Sequence, residues 1–108
     1  MGTLPDEGAV SVVTVAELHI GVLAAQEDRT RALRLRTLAR VERLFEPLPV
    51  DVEVARRFAE LVAHARLRGR KPKILDALIA ATALRHELPV YTQDDDFDQF
   101  PGVQVTRV

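Results

Sequence analysis

Short apolar runs alternate along the chain with longer segments in which apolar residues recur every three or four positions. The first run, Val10 to Val13, predicts a buried strand because β-branched side chains favour extended backbone. From Val15 onward the helical spacing of apolar residues predicts a first helix. Residues 46–50 (EPLPV) predict a brief extended segment, and the runs at 89–92 (PVYT) and 103–108 (VQVTRV) predict two more strands.

Three further segments have the pattern of helices packed on a core. The second predicted helix spans roughly Arg29 to Phe45, and its inward positions are Leu35, Leu38, Val41 and Phe45. The third begins after Asp51, a favourable N-cap, and ends at Gly69; its inward positions are Val54, Phe58, Leu61, Val62 and Ala65. The fourth, residues 74–88 (ILDALIAATALRHEL), is apolar nearly all round, which predicts a buried helix. Strands alternating with helices predict an α/β fold with parallel pairing.

Size and composition indicate one small domain over residues 1–108. An apolar fraction of 47% can supply a core. The 15 basic and 16 acidic residues leave a net charge of -1, so overall charge does not indicate nucleic-acid binding. The chain has no cysteine, which excludes disulfides, thiolate metal sites and cysteine nucleophiles. Neither a signal peptide nor an apolar span of about 18 residues is present, so we expect a soluble, cytoplasmic protein without a membrane partner.

Acidic residues stand at the ends of predicted elements, and each has a structural explanation. Glu17 follows Thr14 by three residues, the spacing of a capping box in which both side chains bind free backbone N–H groups. Asp76 lies in the first turn of the fourth helix, where a carboxylate stabilises the helix dipole. The acidic run 94–96 follows a predicted strand and fits a solvated turn.

A shared metal site is the alternative explanation for these carboxylates. The positions are a strand end, two helix starts and another strand end, which meet at one edge of a parallel sheet. Adjacent carboxylates repel one another, so clustering is favourable mainly when a cation lies among them. Their oxygens suit Mg²⁺ or Mn²⁺. Such a site is typical of metal-assisted phosphodiester hydrolysis.

Three segments together carry a family resemblance. SVVTVAELHIGV, ILDALIAATALRHELPVYTQDDDF and the terminal GVQV resemble, in order and spacing over nearly the whole chain, the PIN-domain ribonucleases and in particular VapC-like toxins of type II toxin–antitoxin modules. The resemblance implies a three-layer α/β fold with a small parallel sheet flanked by helices. It also implies a Mg²⁺- or Mn²⁺-dependent endoribonuclease that cuts structured RNA such as tRNA or rRNA and is inhibited by a VapB-like antitoxin.

The resemblance also assigns roles to individual residues. It implies that Glu17, Asp76 and Asp94 are the catalytic metal ligands, with Asp96 as a frequent auxiliary ligand. Thr92 would orient the site through a side-chain hydrogen bond. Family members begin with an apolar strand that ends in a further aspartate, and nothing comparable precedes residue 9 here. We therefore expect a PIN-like domain without its N-terminal central strand, which would favour homodimers or higher self-association.

Basic residues concentrate just before Asp76. Arg68, Arg70, Lys71 and Lys73 are predicted to steer RNA phosphates, although cations at the end of the third helix would also stabilise its dipole. A second functional hypothesis remains beside the nuclease. In it, the chain is a catalytically impaired PIN-like domain that binds a protein partner or dimerises, and its first two helices form a groove for an antitoxin.

Overall fold

The computed structural model describes residues 8–92 and 96–107. Within them, helices and short strands follow one another in this order: β1 (Gly8–Ser11), α1 (Val12–Ala24), α2 (Asp28–Leu44), β2 (Phe45–Leu48), α3 (Val52–Leu67), α4 (Ile74–Arg85), β3 (Val90–Thr92), a 3₁₀ helix (Asp96–Gln99) and β4 (Val105–Arg107). The predicted order of strands and helices is confirmed, and the predicted loop after β3 contains the 3₁₀ helix.

The strands form two small parallel sheets instead of one. β1 pairs with β2, with Gly8 opposite Phe45, and β3 pairs with β4, with Val90 opposite Val105. Helix α4 packs against both β1 and β3. A cleft lined by residues of both strands lies between the two sheets. No strand among residues 8–92 and 96–107 joins the two pairs, so they do not merge into a single sheet. The α/β class, the parallel pairing and the flanking helices agree with the sequence prediction.

Helix α1 begins earlier than predicted. β1 ends at Ser11, and the Ser11 Oγ accepts a hydrogen bond of 3.1 Å from the backbone N–H of Val13. The predicted strand through Val13 and helix start near Val15 were therefore wrong, because the serine supplies the N-cap. Thr14 lies inside the helix, so the predicted capping box of Thr14 and Glu17 does not exist.

Helix α3 closely follows its prediction. Asp51 is its N-cap, and the Asp51 Oδ1 accepts from the Val54 N–H at 2.9 Å. The inward residues are buried, apart from the half-buried Phe58. At the other end Gly69 has a φ of 72°, and the N–H groups of Gly69 and Arg70 bind the carbonyls of Arg66 and Ala65. This Schellman motif ends the helix at Leu67, two residues before the predicted end.

Helix α2 differs from its prediction on one face. Leu38, Val41 and Phe45 are buried as expected, whereas Leu35 is 51% exposed. Arginines of this helix bind backbone carbonyls near the end of α1: Arg31 Nη2 donates to the Ala25 carbonyl at 2.6 Å, and Arg34 Nη1 donates to the Gly21 carbonyl at 2.7 Å. These contacts hold α1 and α2 as a helical hairpin.

The main core lies between α3, α4, β3 and the 3₁₀ helix. Ala77, Ala80 and Ala81 have no exposed surface, and their small side chains let α4 approach α3 closely. Phe97 and Phe100 close this core in an edge-to-face contact, with ring centroids 6.1 Å apart. None of the described helices is both long and apolar enough to cross a membrane.

The close contact of α4 gives a stability prediction. Ala80→Leu adds three carbon atoms at a position without free space, so we expect it to lower the free energy of unfolding by about 1–3 kcal/mol in urea denaturation. Ala59→Leu adds the same atoms to the exposed side of α3 and should change that free energy by less than about 0.5 kcal/mol. Equal effects of the two substitutions would contradict the packing described here.

Candidate functional site

A cleft of about 320 Å³ lies where the two sheets face each other. Val10 of β1 and Val90 of β3 contribute to its walls, and so do residues of α1, α2 and α4. Two of the predicted metal ligands, Glu17 and Asp76, line this cleft together. They are 59 positions apart in the sequence (76 − 17), so the fold rather than local sequence brings them to the same cleft.

Glu17 lies in the middle of helix α1. The N-cap of this helix is Ser11, so Glu17 is too far along it to bind the free N–H groups of the first turn. The helix face one turn beyond Glu17 is open to solvent, since Ile20 is 58% exposed and Ala24 is exposed as well.

Asp76 is the third residue of α4 and is half-buried. Lys73 is the N-cap of this helix, and its side chain makes no capping hydrogen bond. Asp76 is the acidic residue of the first turn. The predicted interaction with the helix dipole is therefore compatible with this position. Ala77, the next residue, is fully buried, which places Asp76 at the boundary between the core and the cleft.

Asp96 lies elsewhere. Its Oδ2 is 3.5 Å from the Lys73 Nζ, and both side chains are substantially exposed, at 48% and 76%. It lines a second depression, of about 430 Å³, with Asp98, Gln99, His64, Arg68 and Arg70. An exposed ion pair of this kind contributes little to stability. Asp96 is thus adjacent to the basic residues and is not among the residues lining the cleft of Glu17 and Asp76.

Two predicted site residues are described only in part or not at all. Asp94 lies outside the described residues. Thr92 is the last residue of β3, opposite Arg107, and its side chain is also outside the described part of the chain. Within the described residues, no group of three or more histidine, aspartate or glutamate side chains is arranged to hold a metal ion.

The chemistry of the cleft nevertheless suits Mg²⁺. This ion keeps several water ligands and is commonly bound by only one or two carboxylates together with substrate phosphates. Glu17 and Asp76 supply two hard oxygen ligands in one cleft.

The basic segment lies between α3 and α4. Arg68, Arg70, Lys71 and Lys73 are all exposed. Arg68 Nη1 is 2.9 Å from His64 Nδ1, one helical turn earlier. This contact of His64 was not predicted, although a spacing of four residues on a predicted helix indicates such a contact.

A buried pair of hydroxyl groups also borders the cleft and was not predicted. Ser11 and Thr82 are 5% and 2% exposed, and the Thr82 Oγ1 lies 3.3 Å from the Ser11 Oγ. The two residues are 71 positions apart, so no sequence spacing could have indicated their contact.

Both helices of the α1–α2 hairpin expose large apolar side chains. The exposed fractions are 58% for Ile20, 81% for Leu23, 53% for Leu33 and 51% for Leu35. Exposed side chains of this size occur at protein-binding surfaces.

Comparison with known proteins shows extensive similarity. Residues 2–103 match the PIN domain family. The chain is 48% identical to "Ribonuclease VapC5" of Mycobacterium tuberculosis, covering 97% of this chain and 79% of that protein. It is 41% identical to "Ribonuclease VapC4" of the same organism, covering 94% and 78%. The crystal structure of VapBC-5 from M. tuberculosis, a member of the VapBC family of toxin–antitoxin systems, matches with a TM-score of 0.86 and 48% identity over 97% of this chain and 85% of that one.

Proposed function

This chain belongs to the PIN-domain family and is VapC-like, and from this premise we propose that it is a divalent-metal-dependent endoribonuclease toxin. The observation that carries the proposal is that Glu17 of α1 and Asp76 of α4 line the same cleft. The similarity to two proteins named as ribonucleases supports the same activity.

The proposed reaction is hydrolysis of a phosphodiester bond. Glu17, Asp76 and Asp94 would hold Mg²⁺ or Mn²⁺, and the ion would supply activation of water and stabilisation of the charge that develops on the phosphate. The oxygen of water forms a new bond to phosphorus, one ribose oxygen leaves, and that oxygen takes up a proton. Asp96 would assist only after its ion pair with Lys73 opens.

The proposed substrate is structured RNA of the tRNA or rRNA class. Arg68, Arg70, Lys71 and Lys73 form an exposed basic segment that leads to Asp76, and we assign it to the RNA phosphates. Thr92, at the end of β3, would orient the site. An RNA substrate of this kind would be met in the cytoplasm.

A VapB-like antitoxin is the proposed protein partner. The exposed apolar side chains of the α1–α2 hairpin support this, as does the similarity to a protein of a toxin–antitoxin system. We also propose that the chain self-associates as a homodimer or higher oligomer, because Ile74 and Leu75 at the start of α4 are exposed by 49% and 43%.

A binding module without catalytic activity is the second candidate. The exposed apolar side chains of the α1–α2 hairpin, which suit a protein partner, support it. The two candidates differ in whether a divalent ion binds at the cleft.

The first prediction of the proposed function concerns Asp76. Asp76→Asn keeps the shape of the side chain but removes its charge, so we expect Mn²⁺ affinity to fall at least about tenfold and the rate of RNA cleavage at least about a hundredfold. Titration calorimetry and a cleavage assay with a fluorescent RNA would measure the two effects. Asp28→Asn is the matched control, because Asp28 is a fully exposed residue of α2 and should retain both properties. Absence of Mn²⁺ binding by the unmodified chain would favour the binding module.

The second prediction concerns the basic segment. Arg70→Gln combined with Lys71→Gln removes two cations, so the slope of log K against log salt concentration should become shallower by roughly 0.7–0.9 per residue removed. Binding is measured with Asp76→Asn as the background, so that the RNA is not cut. Arg36→Gln with Arg43→Gln on α2 is the control with equal loss of charge. An unchanged slope in the first pair would refute the assignment of these residues to phosphate contacts.

The third prediction concerns the antitoxin surface. Leu23→Asp places a charge in the exposed apolar group of the hairpin, so a VapB-like antitoxin co-expressed with the chain should bind at least about tenfold more weakly. Leu67→Asp is the control, since Leu67 is 86% exposed on α3 and Leu23 is 81% exposed on α1. Surface plasmon resonance compares the dissociation constants. Equal binding by both variants would exclude the hairpin as the antitoxin surface.

A further inference from the structure

A continuous chain of hydrogen bonds joins the start of α1 to the middle of α4. The Val13 N–H donates to the Ser11 Oγ at 3.1 Å, the two hydroxyl oxygens of Ser11 and Thr82 are 3.3 Å apart, and the Thr82 Oγ1 donates to the Leu78 carbonyl at 2.8 Å. Both hydroxyl-bearing side chains are buried.

The Thr82 hydroxyl is the link in this chain between the two helices. Its Oγ1 reaches two acceptors, the Leu78 carbonyl of its own helix and the Ser11 Oγ, and the Ser11 Oγ also accepts from the Val13 N–H. Removal of the Thr82 hydroxyl breaks the bond to Ser11, whereas the cap between Ser11 and Val13 stays in place.

The two carboxylates of the cleft are held by the helices that this bond joins. Glu17 lies six residues after Ser11, and Asp76 lies six residues before Thr82. Each separation corresponds to about 9 Å along a helix axis. All four residues line the same cleft, so a shift between α1 and α4 at the hydroxyl pair would change the distance between the carboxylates.

We propose that Ser11 and Thr82 are positioning residues that set the separation of Glu17 and Asp76 for metal binding. This inference rests on the proposed function, because it assigns the two carboxylates to a shared ion. Neither hydroxyl is proposed to touch the metal or the RNA. Their contribution is to fix where α4 crosses the start of α1.

Thr82→Val is the decisive substitution. Valine has nearly the same shape as threonine and leaves the Ser11 cap of α1 in place, but it removes the bond between the helices. We expect Mn²⁺ to bind about tenfold more weakly in titration calorimetry, comparable with the loss of an outer-shell partner at other metal sites. Thr82→Ser keeps the hydroxyl and should retain affinity within about twofold. Wild-type affinity in a folded Thr82→Val would overturn the proposal.

A control separates positioning from a general loss of stability. Val62→Ala removes core atoms of α3, and Val62 does not line the cleft. The melting temperature without metal is measured for each variant. We expect Val62→Ala to lower the melting temperature while Mn²⁺ affinity stays within about twofold of wild type. If Val62→Ala lost Mn²⁺ affinity to a similar degree, the effect of Thr82→Val would reflect a general loss of stability, and the positioning proposal would be refuted.

A distance measurement tests the geometry without any metal. The chain has no cysteine, so Ala16→Cys on α1 and Ile74→Cys on α4 give unique positions for spin labels at exposed sites. The distance distribution should broaden or shift in Thr82→Val and not in Thr82→Ser. An unchanged distribution overturns the positioning proposal. Mn²⁺ binding without RNA cleavage by the wild type would instead overturn the proposed nuclease function and leave the positioning result to stand.

Discussion

The contact between α4 and the start of α1 is the constraint on which the cleft depends. The chain is built as two parts, each with two main helices and its own two-stranded parallel sheet: β1 to β2, and α3 to β4. Among the described residues, neither strand of the first sheet pairs with a strand of the second. Helix α4 contacts both β1 and α1, and the buried bond between Ser11 and Thr82 lies in this junction. Separation of the two parts would break this buried bond, so the junction favours a single relative position of the two parts.

The candidate site is a consequence of this junction, because its two described carboxylates come from different parts. Glu17 belongs to α1 and Asp76 to α4, and neither part alone contains both. The two helices are themselves firmly held: Arg31 and Arg34 bind carbonyls near the end of α1, and the alanine face of α4 packs against α3.

Local patterns predicted what local interactions determine. The apolar spacing of α3, its cap at Asp51 and its end near Gly69 were predictable because each depends on neighbouring residues. The N-cap of α1 was wrongly predicted because Ser11 and Thr14 are both good caps, and the choice between them depends on β1 pairing with β2 as far as Ser11. The division into two sheets and the contact between Ser11 and Thr82 arise from long-range packing, which no periodicity reports. The places of Glu17 and Asp76 in predicted helices suggested a shared site, and the resemblance implied their role as metal ligands, whereas composition alone indicates neither.

The acidic residues can stabilise helix ends or bind a metal ion, and the structure distinguishes these two explanations for Glu17 but not for Asp76. Asp76 occupies the first turn of α4, where a helix-stabilising carboxylate and a metal ligand would look the same, so its position is compatible with either. Glu17 is the more informative residue. Because Ser11 caps α1, the capping explanation for Glu17 fails, yet Glu17 lines the same cleft as Asp76. Two carboxylates that line one cleft supply the hard oxygen ligands that a divalent cation prefers. The start of α1 therefore bears on the metal-site explanation, because the cap at Ser11 and the pairing of β1 with β2 place Glu17 beyond the first turn.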